Sequence, residues 1–232
     1  MIVAMNMSLL MKLMQFTDSA LPVGTFSFSN GLETAASEGI VKDAATLNAY
    51  TLNMVRQTAC SDGIAALQAH RAARENRYDL LTDADRRLLQ FKMNDESRQM
   101  AQRMGKKLAE LTVKIFDSPL TERWLKEINS GTTPGCYPVA QALAFAAAGL
   151  DERELFCSML YGTMSMILGA ALRCIKVSHY DTQRILYNLG DMARDLYDEV
   201  CFLAFDDMNC FAPENDIVAS MHEKGEMRMF MS

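Results

Sequence analysis

Apolar residues recur along this chain at three- and four-residue spacing, the period of an α-helix with one face turned inward. Leu9, Leu10, Leu13, Met14 and Phe16 make the first such stretch, and Leu47, Tyr50, Met54 and Val55 another. Gly63 marks a bend before Ile64 and Leu67, and a polar run follows to Tyr78. Thr82 and Asp83 are placed to cap a helix through Leu88, Leu89 and Phe91. A helix from about Ser97 carries Met100, Met104, Leu108, Leu111 and Ile115 as far as Asp117-Ser118-Pro119, and Trp124, Leu125 and Ile128 make a short one after Thr121. Val139 to Ala148 is an alanine-rich helix stopped by Gly149 as its C-cap. Asp151 starts the next, Asp181 and Thr182 cap one running to about Phe205, and Glu214 to Met221 closes the series. No strand-like alternation persists between turn signals, and no heptad is sustained. The pattern predicts an all-α fold in which residues 1–232 form a single globular bundle of about eight to ten helices. Residues 219–232 are expected to form a mobile C-terminal tail.

Leu155 to Leu172 carries no charge, close to the roughly 20 residues that a bilayer requires. Ser158, Gly162, Thr163, Ser165 and Gly169 dilute it, and charged residues flank both ends. A central helix buried on all sides fits better than a membrane span. Its small residues are expected to let neighbouring helices come close, so that Gly162→Leu would overpack.

Between the first two helices, Asp18 to Glu33 reads as a tight aromatic loop. Pro22 ends the helix, and Gly24 admits a backbone angle that other residues resist. Phe26 and Phe28 flank Ser27 and share one face of an extended backbone. Ser29 or Asn30 can cap the next helix, with Glu33 placed for a capping box from Asn30. A plain connection between helices would explain much of this composition.

Composition narrows the function. Half of the 232 residues are hydrophobic and 22% are charged, as in a folded domain with a sizeable core, and the net charge of −6 argues against a nucleic-acid binder. Basic clusters at Arg71, Arg74, Arg77 and at Arg103, Lys106, Lys107 read as solvated helix faces. The cysteines at 60, 136, 157, 174, 201 and 210 form no Cys-x-x-Cys pair. Free thiols in a reducing cytoplasm are the simplest account, and no basic segment suggests a secretory signal. Most of the 18 methionines suit helix interiors; Met221, Met227, Met229 and Met231 stand apart in a polar tail.

Chemistry is sparse. There is no phosphate-binding Gly-x-x-x-x-Gly-Lys-Ser/Thr. His70, His179 and His222 are isolated, and His222-Glu223 is at most a weak metal pair. Ser27 and Ser29 lie outside any Gly-x-Ser-x-Gly elbow, and Asp206-Asp207 reads as a solvated loop pair. No nucleophile has a base. The expectation is a binding protein without catalytic residues, cofactor or metal ligands.

The spelling of the loop is more specific than its composition. Asp18, Ser19, Leu21, Pro22, Gly24, Phe26, Ser27, Ser29, Gly31, Leu32 and Glu33 resemble the N-terminal signature of the urease accessory protein F (UreF) family. Ser97-Arg98 with Met104-Gly105-Lys106 is similar to that family's arginine-and-glycine helix. Gly135-Cys-Tyr-Pro-Val-Ala140 is similar to its Gly-His-Tyr-Pro-Val segment, with Cys136 in place of the usual histidine. Phe211-Ala-Pro, Asp216-Ile217, His222-Glu223 and Arg228-Met229-Phe230 resemble its C-terminal signature.

The resemblance implies an all-helical, homodimeric, cytoplasmic adaptor with no membrane or nucleic-acid role. Its partners would be the UreD/UreH-type accessory protein, the UreG-type GTPase and apo-urease, with GTP hydrolysis coupled to nickel insertion. It carries over as partner-binding residues Pro22, Gly24, Phe26, Ser27, Ser29, Gly31, Glu33, Lys176, His222, Glu223, Arg228 and Phe230. Lys176 aligns with a basic position implicated in controlling the GTPase. The chain departs from the family at Ser178-His179-Tyr180, where a Pro-Leu turn is usual, and at Met221 and Met227, which replace Arg and Ser. Two other readings stay open at this point: a metal carrier, and a helical structural protein without urease partners.

Overall fold

Capping chemistry sets most of the helix boundaries. The computed structural model describes residues 6–24, 28–209, 212–222 and 230. In chain order the helices are α1 (Met7–Thr17), α2 (Leu32–Ser37), α3 (Ala44–Thr58), α4 (Ile64–Arg74), α5 (Tyr78–Gln90), α6 (Asp95–Ile115), α7 (Pro119–Asn129), α8 (Tyr137–Ala148), α9 (Glu152–Cys174), α10 (His179–Gly190), α11 (Ala193–Val200) and α12 (Pro213–His222). A π-helical turn, Ala59–Gly63, joins α3 to α4, and a 3-10 turn spans Phe205–Asp207. Among the described residues there is no strand. Capping boxes open α3 at Asp43 with Thr46, α9 at Asp151 with Glu154 and α10 at Ser178 with Asp181. Asn94 caps α6 through the Ser97 amide.

Some boundaries differ from the sequence reading. Thr82 does not cap α5, which begins at Tyr78; its hydroxyl instead bonds back to the carbonyls of Tyr78 and Asp79. The helix expected from Asp181 to about Phe205 is divided at Asp191-Met192 into α10 and α11.

Helix α9 is the axis. It packs against α1, α2, α3, α4, α8, α10 and α11, and its length and composition would also suit a membrane span, but 56% of its most apolar window is buried inside the fold. Leu155, Phe156, Leu160, Ile167, Ala170 and Ala171 are essentially inaccessible. The close approaches do not come from the glycines the sequence pointed to. A Cβ at Gly162 or Gly169 would meet nothing within 4 Å, so neither glycine is where a neighbouring helix comes closest. Gly63 makes the tight contact instead: a Cβ there would come within 2.8 Å of the Phe156 ring. The π-helical turn thus ends where α9 needs space for an aromatic ring.

A second hub joins α5, α6 and α8. Asp85 of α5 has no solvent exposure. Its carboxylate accepts from the Thr133 hydroxyl at 2.7 Å, the Gly135 amide at 2.8 Å and the Cys136 amide at 2.7 Å. Gly135 has φ +85°, and a Cβ on Gly105 would run into the Gly135 carbonyl. The loop is therefore pinned from α5 and pressed against α6 just where α8 starts.

A third set of polar contacts ties α4 to α9 and α11. Arg71 bonds Glu152 with two guanidinium nitrogens, at 2.6 and 3.1 Å, and the Cys201 carbonyl at 2.7 Å. Tyr197 donates to the same carboxylate. Although burial opposes it, these bonds hold Glu152 below its ordinary pKa. Next to it, buried His70 places Nε2 3.0 Å from the Leu150 carbonyl.

Two outcomes follow from this packing. Gly105→Ala should cost about 1–3 kcal/mol, because backbone rather than a flexible side chain must move; urea unfolding measures it. For His70, burial holds the imidazole below its ordinary pKa, outweighing the Leu150 hydrogen bond and the Glu152 charge. The unfolded chain then takes up the proton first as pH falls through about 6.5. Stability should drop on acidification from pH 7 to about 5.5, and His70→Gln should flatten that drop in thermal melts. Asp216, raised by burial, slopes the other way, so the difference between variant and wild type is the quantity to read.

Candidate partner-binding site

Residues 18–33 divide into an exposed tip and a buried root. Asp18 takes the Ala20 amide on its carboxylate at 2.8 Å, turning the chain out of α1. Pro22 and Gly24 are exposed, with Gly24 at φ +93°, and Val23 between them is buried. Phe26 and Ser27 lie outside the described residues. The chain returns with Phe28 and Ser29 buried.

The entry to α2 differs from the expected capping box. Its N-cap is Gly31, at φ +78°, with no side-chain cap bond. Asn30 is also left-handed, at φ +53°, and its carbonyl accepts from the Tyr50 hydroxyl. Ser29 Oγ accepts the Glu33 amide at the long distance of 3.5 Å.

Glu33 reaches for the other end of the chain: its Oε2 accepts the Phe230 amide at 3.1 Å. The Phe230 ring is buried, with the Arg173 guanidinium carbon 4.0 Å from its centroid, a cation–π contact from the last turn of α9. Helix α12 lies across α2. A Cβ at Gly31 would sit only 3.1 Å from Ala219, so glycine serves both the backbone angle and the helix approach. The Ala212 amide bonds Gln57 Oε1 at 2.9 Å, securing the start of α12 to α3.

The structure therefore joins Gly31 and Glu33 of the first signature to Ala219 and Phe230 of the last. Lys176 follows α9 and is exposed. His222 ends α12, while Glu223 and Arg228 lie outside the described residues. Arg173, Tyr50 and Gln57 were missed by sequence reasoning. Each belongs to a regular helix, and only the fold reveals what it meets.

Beside this junction is a cavity of about 380 Å³. Phe16 of α1, Leu21, Val23 and Phe28 of the loop, Leu168 of α9 and Leu186 of α10 help to line it. Exposed Tyr161 and Leu172 of α9 extend its apolar lining toward the surface. Among the described residues, no three His, Cys, Asp or Glu side chains converge as metal ligands. Cys136 is fully buried, and burial together with Asp85 pushes its thiol well above the ordinary cysteine value. That is the opposite of an activated nucleophile.

The fold defines a class, all-helical among the described residues, in which the two signature segments pack against each other. Comparison with known proteins makes the class specific. The UreF family model matches residues 41–190. "Urease accessory protein UreF 2" of Brucella canis is 47% identical over 223 residues, covering 96% of this chain and 92% of that protein. "Urease accessory protein UreF 1" of Brucella melitensis matches at the same identity and coverage. "Urease accessory protein UreF" of Yersinia enterocolitica is 42% identical over 226 residues, covering 97% of this chain and 99% of that protein. This chain belongs to the UreF family of urease accessory proteins.

The two signature glycines can be separated by experiment. Gly24→Ala meets no neighbour and should cost only the left-handed backbone term, about 1–2 kcal/mol. Gly31→Ala adds the crowding against Ala219 and should cost more. Urea midpoints of the two variants, compared at equal slope, give the order directly.

Proposed function

We propose that this protein is a non-catalytic adaptor in urease maturation. It joins a UreD/UreH-type accessory protein and a UreG-type GTPase to apo-urease, and couples GTP hydrolysis by the GTPase to nickel insertion. It works in the cytoplasm as a homodimer. The nickel is cargo of the assembly, and this chain supplies surface rather than chemistry.

The observation that carries the reading is the junction of the two signature segments. Gly31 against Ala219, and Glu33 on the Phe230 amide, bring together parts of the chain that the family likeness had pointed to separately. The exposed loop tip at Pro22 and Gly24 borders it on the N-terminal side. Lys176, exposed just beyond α9, offers a cation that the fold does not bury. A surface ammonium is a suitable contact for a partner because removing it disturbs little else.

Co-purification with the companion accessory proteins is the direct test. The full chain should bring down the UreD/UreH-type protein, and the pair should then retain the GTPase. Deleting residues 220–232 should weaken the first complex at least about tenfold, roughly 1.4 kcal/mol, and should also lower the melting temperature because Phe230 leaves its buried site. Lys176→Ala should leave the melting temperature unchanged and reduce retention of the GTPase. Failure of the full chain to capture either protein would reject the adaptor role. Submicromolar nickel binding by the isolated chain would favour a metal carrier instead.

A further inference from the structure

A smaller cavity, of about 150 Å³, is lined on one side by the first turns of α12. Pockets for drug-sized ligands run to roughly 300–1,000 Å³, so this volume suits a single long side chain. Five methionines line it: Met54 of α3, Met100 and Met104 of α6, and Met159 and Met166 of α9. Their thioether chains are flexible and polarizable, so such a wall adapts to an inserted aliphatic stem. Met54, Met100 and Met166 keep partial contact with solvent.

Charged groups share the same space. Lys92 Nζ is 2.5 Å from Asp62 Oδ1, on the π-helical turn, and both side chains are largely covered. Asp216 of α12 also lines the cavity. Its Oδ2 is buried and accepts no hydrogen bond, and the neighbouring Asn215 Nδ2 is buried and donates none. Burial raises the Asp216 carboxyl above its ordinary pKa; Lys92 opposes the rise and Asp62 adds to it. Among the described lining residues, two carboxylates thus face one ammonium, which is already committed to Asp62. The result is one unpaired carboxylate oxygen, with excess negative charge, at the end of an apolar slot.

We propose that this cavity receives one arginine side chain from a protein partner, with its stem against the methionines and its guanidinium on Asp216. A guanidinium offers several N–H donors in a fixed plane and is less strongly hydrated than an ammonium, so it suits a carboxylate in a half-closed site. A free amino acid would bring its own carboxylate toward Asp62 and Asp216, whereas a side chain on a peptide would not. This inference does not rest on the urease reading, and its test needs no accessory protein.

The test is nuclear magnetic resonance of the full chain labelled at its methionine methyl groups. The probes are the blocked peptide acetyl-Ala-Ala-Arg-Ala-Ala-amide and, separately, n-butylguanidinium. Both should shift the methyl signals of Met54, Met100, Met104, Met159 and Met166 saturably, and a peptide with glutamate in place of arginine should not. Asp216→Asn should weaken binding at least about tenfold without lowering the melting temperature. Gly162→Leu, which puts a side chain into open space at the cavity wall, should block binding in a folded protein. Absence of saturable shifts with either cation, or undiminished binding in both variants, overturns the proposal. Binding of butylguanidinium without the arginine peptide overturns the protein source in favour of a free small cation.

Discussion

A buried carboxylate with all its partners supplied by one loop holds the second half of this fold in place. Asp85 is fully enclosed, and an uncompensated charge in that position would be strongly destabilising. It persists because the Thr133 hydroxyl and the Gly135 and Cys136 amides converge on it. Cys136 is the N-cap of α8, so the carboxylate also meets the positive end of that helix dipole. Gly135 supplies the left-handed turn and Gly105 the missing side chain that lets α6 lie against it. Together these contacts position the start of α8, on which α4 and α6 pack.

The other organising element, α9, is held by complementary means. It has apolar residues on most sides and touches seven helices, so its position is over-determined by packing rather than by one polar contact. Arg71, Glu152 and Tyr197 lock its first turn to α4 and α11, and Arg173 at the other end lies over the Phe230 ring. The helix thus runs from that polar lock to the contact of Arg173 with Phe230. The Asp85 loop fixes α8; α9 passes that frame to the junction of the two signature segments.

Much of this was legible in the residues, and the exceptions share a cause. Helical period, the Asp151 start and the Gly149 C-cap are local properties, and they stand as read; the apolar helix is central but not buried on all sides, because Cys157, Tyr161, Gly169 and Leu172 are exposed. Asp85 was invisible because a lone aspartate in an amphipathic helix looks the same whether it faces water or a distant loop. Gly162 and Gly105 are both helical glycines, yet one faces a cavity and the other a backbone carbonyl; nothing within a few residues of either says which. Thr82 looked like a cap because its type suits one, but Tyr78 had already begun the helix. Glu33 suited a capping box by spacing, and a left-handed Asn30-Gly31 pair took that role away. The signature loop was identifiable, whereas its contact with Phe230 spans most of the chain length and leaves no trace in local pattern.

That long contact also orders events during synthesis. Glu33 and the Phe230 amide are 197 positions apart, and a chain is made from its N-terminus at a finite rate. The first signature leaves the ribosome well before the residue that closes against it. A chain that stops short of Phe230 lacks the bond that ties the two segments together. Translation as far as Phe230 is therefore required before the two segments can close on each other.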